Sequence, residues 1–117
     1  MNKAELEQRT KEFSLILIRF LESLPKNYLC EAMGRQLLKS GTSIGANYRD
    51  ANRAESKADF VHKLAIAEKE ASETVYWLEL MTEAGIGSRQ EVANLLQEPS
   101  EILAIFTAAG RTSKGLR

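Results

Sequence analysis

One cysteine, one histidine and two prolines are all that occur of these residues in 117 positions. A single cysteine excludes an internal disulfide framework and fits a reducing cytosol, so a cytoplasmic location is expected. A single histidine cannot supply a di-metal carboxylate bundle, which needs a Glu-x-x-His on each of two helices. With proline only at 25 and 99, long uninterrupted helices are permitted. No apolar run approaches the ~18 residues of a membrane span; the longest near the N-terminus is Leu15–Ile18. The first residues carry Lys3, Glu5 and Glu7 with no apolar segment, so no secretory signal is expected. Net charge is also missing: 16 basic residues face 16 acidic ones, which argues against a generic polyanion binder.

What is present is helical periodicity and an uneven placement of charge. Four segments repeat apolar residues at three- and four-residue spacing. The first, about Ala4 to Leu24, lines up Leu6, Phe13, Ile16, Leu17, Phe20 and Leu24, and Pro25 ends it. The second, about Lys26 to Ala54, has a seam of Cys30, Met33, Leu37, Ile44, Tyr48 and Ala51. The third starts near Ser56, where Ser56 and Asp59 resemble a capping box, and Gly85 stops it with Ile86 as apolar partner. Its core face is Phe60, Leu64, Ala67, Ala71, Val75 and Leu78. Ser88 and Glu91 form the capping box of the fourth, lined by Val92, Leu95, Leu96, Ile102, Leu103 and Phe106. Pro99 is expected to kink or split that helix near Gln97–Glu98. Short connections favour an all-α, antiparallel up-down-up-down four-helix bundle over residues 1–110. A flexible basic tail, 111–117, is expected to follow.

Three surfaces ask for partners. Gly34, Gly41 and Gly45 fall within about 40° of one another on the second helix. A helix-interior glycine costs roughly 1 kcal/mol against alanine, so three on one side suggest that another backbone approaches there. Arg35, Lys39, Arg49 and Arg53 lie within about 80° on the side opposite the apolar seam, spanning about 27 Å, and are suited to track a phosphate backbone. The same stripe would equally pair with acidic protein, since the third helix carries Asp59, Glu68, Glu70, Glu73, Glu79 and Glu83. No aromatic interrupts the stripe, so base stacking is not indicated. Lastly, Ile66, Trp77 and Leu80 lie within about 60° on the third helix, off its core face, and read as a subunit interface.

Catalysis is weakly signalled. Cys30 falls on an apolar seam and reads as a small buried hydrophobe. Glu70 and Glu73 stand one turn apart, an ordinary solvated pair, and Asp59 and Lys63 are spaced for an ion pair within a helix. Ser40, Ser43 and Asn47 read as hydrogen bonds between helices rather than a reactive site. No enzyme activity, cofactor or metal is expected.

The run from Leu37 to Leu80 resembles the four-helix-bundle proteins encoded in intervening sequences of bacterial 23S ribosomal RNA genes. The strongest part is Ser43-Ile44-Gly45-Ala46-Asn47, followed by Ala51, Ser56, Asp59-Phe60, Lys63, Glu70, Glu73 and Tyr76-Trp77-Leu78. The resemblance covers about residues 10–110; it departs at Asp50, where the family typically has Glu, and at Pro99. It implies a left-handed antiparallel bundle assembled as a ring-like homopentamer, with no enzymatic activity. It also implies kinship to accessory proteins of diversity-generating retroelements, which bind a reverse transcriptase and nucleic acid through basic surfaces. The expected function is therefore an oligomeric protein binding structured RNA, or an RNA-handling partner, through Arg35, Lys39, Arg49 and Arg53. Arg111, Lys114 and Arg117 would assist, and Gly34, Gly41, Gly45, Ile66, Trp77 and Leu80 would form the interface. The alternative is a protein–protein scaffold that binds no nucleic acid.

Overall fold

The computed structural model describes residues 1–115 and is all-α. Helices α1 (Lys3–Ser23), α2 (Tyr28–Asn52), α3 (Lys57–Ala84) and α4 (Arg89–Ser113) are joined by connections of four residues each. Connections that short force each helix back against its predecessor. The result is an elongated bundle of 45 × 24 × 22 Å.

Local chemistry sets the ends of each helix. Asn2 and Glu5 form a reciprocal capping box on α1. Asn27 caps α2 by accepting from the Cys30 amide. Helix α2 therefore begins at Tyr28, and Pro25 lies in the connection rather than in its first turn. Ser56 accepts from the Asp59 amide at 3.1 Å, but the shorter Asp59 side chain reaches the Glu55 amide instead of closing the box. Gly85 takes a left-handed conformation (φ 72°), and the Ile86 amide bonds back to the Met81 carbonyl at 2.9 Å. That is a Schellman closure, with Ile86 folded onto the core. Ser88 starts α4 by accepting from the Glu91 amide.

Helix α4 runs unbroken through Pro99, so the expected split does not occur. The proline ring is buried, and the Ser100 hydroxyl donates to the Leu96 carbonyl at 2.7 Å. The helix also continues past Gly110 to Ser113, three residues beyond the expected boundary of the bundle. Lys114 caps it, and Arg117 lies outside the described residues.

The core is a column of Phe13, Leu17, Leu37, Ile44, Leu64, Leu78, Met81, Ile102 and Phe106, with Tyr48 stacked on Phe106 at 5.1 Å. Thr74 and Met81 join it from the side of α3 that faces α2, the edge that the apolar stripe alone leaves out. Across that face the hydroxyls of Ser40 and Thr74 share a hydrogen bond of 3.0 Å. Ser43 and Asn47, by contrast, bond to carbonyls of their own helix. Ile16 was expected in the core but is 52% exposed, because it points along the seam between α1 and α4, where these two helices touch least.

The glycines of α2 pack onto α1. A Cβ on Gly41 would stand 2.1 Å from Leu17 Cδ2, and one on Gly45 would stand 3.1 Å from Thr10 Oγ1. A Cβ on Gly34 would meet only Leu21 Cδ2, at an ordinary 3.5 Å. The expected close approach thus comes from within the chain, and Gly41 is buried there. At Gly41 and Gly45 the close approach is accounted for by α1, whereas Gly34 makes only an ordinary contact there.

Two substitutions separate packing from propensity. Gly34→Ala should stabilise by up to about 1 kcal/mol, since alanine is the better helix former and the space is free. Gly41→Ala must displace a fully buried leucine, and overpacking of about 1–3 kcal/mol outweighs the propensity gain. Urea denaturation should therefore shift the two midpoints in opposite directions.

Candidate nucleic-acid interface

Helix α2 turns one edge to α1 and the other to α3, which leaves its back to solvent. Arg35, Lys39, Arg49 and Arg53 are all exposed on that back. Among the described residues, Arg35 and Arg53 make no ion pair. Arg49 reaches across to Glu7 of α1, with Nε 3.7 Å from Oε1, a long contact that leaves most of its donors available. Asn52 holds the same carboxylate by donating to Glu7 Oε2 at 2.9 Å. Lys11 follows Glu7 by one turn on α1, so the cationic surface extends onto α1 there. Periodicity within α2 alone does not reveal Lys11, because the link is made by antiparallel packing.

Lys39 sits apart from its three companions in its surroundings. It lies near Glu70, whose carboxyl pKa is raised from the ordinary value. The first cause is burial and the second is the neighbouring Glu73; Lys39 and Lys69 oppose the shift. The basic edge of α2 therefore meets the acidic edge of α3 within one molecule. Asp59 and Lys63 form the ion pair expected of them, at 3.2 Å.

On α3 the spare apolar face is only partly spare. Trp77 is partly buried, packs against the core and meets Tyr76 edge-on at 5.2 Å. Ile66 is also partly buried. Leu80, at 37%, and Tyr76, at 56%, are the residues left facing solvent. The apolar outer surface thus sits one position round the helix from the expected centre at Trp77.

A feature that helix-by-helix reading does not find is a groove between α1 and α4, with a volume of about 620 Å³. Its floor is Phe13, Phe20 and Leu95, and Ile16 stands at its rim. Arg9 bridges it at one end, with Nε 2.6 Å from Glu98 and Nη2 2.8 Å from Glu101. This pairing raises the guanidinium pKa and lowers that of Glu101. Across from Ile16, α4 offers Asn94 and Gln97, so the seam lacks a matching apolar row. That mismatch is the one signal in the sequence that points to it.

Among the described residues no group of histidine, cysteine and carboxylate side chains is placed to hold a metal. Among the described residues no helix is long and apolar enough to cross a membrane. Cys30 is buried.

The family profile described as 23S rRNA-intervening sequence protein matches residues 2–108. The chain is also similar to a crystal structure of a protein of unknown function from the S23 ribosomal protein family of Bacteroides thetaiotaomicron. The two are 37% identical and superpose with a TM-score of 0.81, over 91% of this chain and 98% of that one. No curated protein matches the chain. Neither match indicates an enzyme family.

The raised pKa of Glu70 has a sign that can be tested. A carboxyl that protonates more readily folded than unfolded lowers stability at neutral pH, and this penalty disappears as pH falls below the ordinary carboxylate range. Glu70→Gln should therefore raise the melting temperature at pH 7 and change it little near pH 4. Paired thermal melts at the two pH values are the check.

Proposed function

The chain belongs to the 23S rRNA-intervening sequence protein family, and from that membership we propose a non-enzymatic, oligomeric cytoplasmic protein that binds structured RNA through the back of α2. The carrying observation is the row of four exposed cations, Arg35, Lys39, Arg49 and Arg53, three of them without an ion pair among the described residues. Guanidinium groups present planar, forked donors suited to phosphate oxygens, and three of the four are arginine. With no aromatic in the row, contact is to backbone and shape rather than to bases. Lys11 lends a fifth charge from α1, and Arg111 and Lys114 lie at the end of α4.

Assembly multiplies the row. In this proposal copies associate through the outer face of α3 around Leu80 and Tyr76, with Ile66 and Trp77 behind them, as a ring-like homopentamer. Apolar side chains exposed on a helix next to a half-buried tryptophan support the interface. The ring itself rests on family resemblance alone.

Two experiments test these halves separately. Structured RNA should bind the protein with an affinity that falls steeply with salt. A variant carrying Arg35→Glu, Arg49→Glu and Arg53→Glu should lose that binding, because roughly one unit of logarithmic salt slope goes with each phosphate contact removed. Salt-independent binding, or unchanged binding by the variant, defeats the RNA reading. For assembly, Leu80→Lys should lower the native mass measured by light scattering while leaving the helical content intact. An unchanged mass removes α3 from the interface.

A further inference from the structure

We infer that the groove between α1 and α4 docks an amphipathic helix of a partner protein, one with an apolar stripe at three- and four-residue spacing and basic flanks. This goes beyond RNA binding, since it concerns a different surface and a different class of ligand. The groove is lined along α1 from Arg9 to Ser23, about 21 Å at 1.5 Å per residue, or close to four helical turns. Its length, open side and apolar floor match the way grooves take up helices, with anchors at i, i+3, i+4 and i+7. Ile16, half exposed beside buried Phe13 and Phe20, is the contact that an incoming apolar residue would cover.

Charge selects the partner. The walls carry Glu12, Glu91, Glu98 and Glu101 against Arg9 and Arg19. Arg9 and the Glu98 and Glu101 carboxylates engage one another, which leaves Glu12 and Glu91 against Arg19 and the walls with more carboxylates than guanidinium groups. A helix flanked by lysine or arginine meets complementary potential, and an acidic one is repelled. A second copy fits this pattern poorly. Its exposed apolar residues on α3 are flanked by Glu73, Glu79 and Glu83. Those on the outside of α1, Leu15 and Ile18, span a single turn, and those on α2, Tyr28, Leu29 and Leu38, fall on different sides of the helix and form no stripe.

The test uses the full chain and a labelled synthetic helix with leucine at the four anchor positions and lysine elsewhere. A counterpart with glutamate in place of lysine is run alongside, and fluorescence anisotropy reads binding. The lysine peptide should bind at least about tenfold more tightly than the glutamate peptide. Ile16→Lys should weaken it by about tenfold or more, whereas Leu38→Lys, away from the groove, should leave it near the wild-type value. Asn94→Arg, an exposed change on the opposite wall, should weaken it too and stands in if Ile16→Lys loses helicity. RNA binding by Ile16→Lys should be unchanged, which keeps this result separate from the α2 reading. Equal binding of the two peptides, or full binding by both groove variants, overturns the proposal. A drop in native mass on Ile16→Lys also overturns it, because the groove would then be filled by another copy.

Discussion

Helix α1 rests on α2 through a contact that has no side chain on one side: Leu17 fills the place where a Cβ of Gly41 would be. Much else follows from that approach. Thr10 settles over Gly45, and Glu7 comes within reach of Arg49 and Asn52. With α1 drawn onto α2, its other edge must find partners on α4, which offers Leu95 but otherwise Asn94, Gln97, Glu98 and Glu101. Toward solvent, among the described residues, Arg9 ties that edge down by its ion pairs with Glu98 and Glu101. The open groove is the counterpart of the tight seam.

Much of the fold was legible because its determinants are local. Ser56, Ser88 and Gly85 act within four or five residues of themselves, and the buried rows of α2 and α4 follow the 3.6-residue period. What escaped were questions of which neighbour a face meets. Three glycines on one side announce a close approach, but a helix of the same chain and a helix of another copy need small residues equally. Trp77 lies at the border between core and solvent, where a shift of a few tens of degrees changes its role. Pro99 breaks a helix when an N–H is needed, yet here its ring is packed in the core and the surrounding helix remains continuous. Of the candidate site, the cations of α2 were readable as a row; Lys11 and the groove were not, since each is assembled from two helices distant in sequence.

A net charge of zero conceals a polarised molecule. The back of α2 is cationic, the outer flank of α3 is acidic, and the walls of the groove carry more carboxylates than guanidinium groups. Where the first two meet, Lys39 and Glu70 temper each other without forming a short ion pair. Such a surface can hold ligands of opposite sign on different sides without a large overall field to attract either one indiscriminately.

The order of the helices around the bundle has a kinetic consequence. Each helix packs mainly on the one before it and the one after it, and only the contact of α1 with α4 joins the two ends of the chain. Contacts made between neighbours in sequence carry little loop-closure entropy, so the hairpins of α1–α2, α2–α3 and α3–α4 can form early and independently. The least packed seam is also the one of greatest sequence separation, and it is the natural last step of folding and first step of opening. The protein thus leaves an open groove at the seam where its own architecture closes the chain's two ends together.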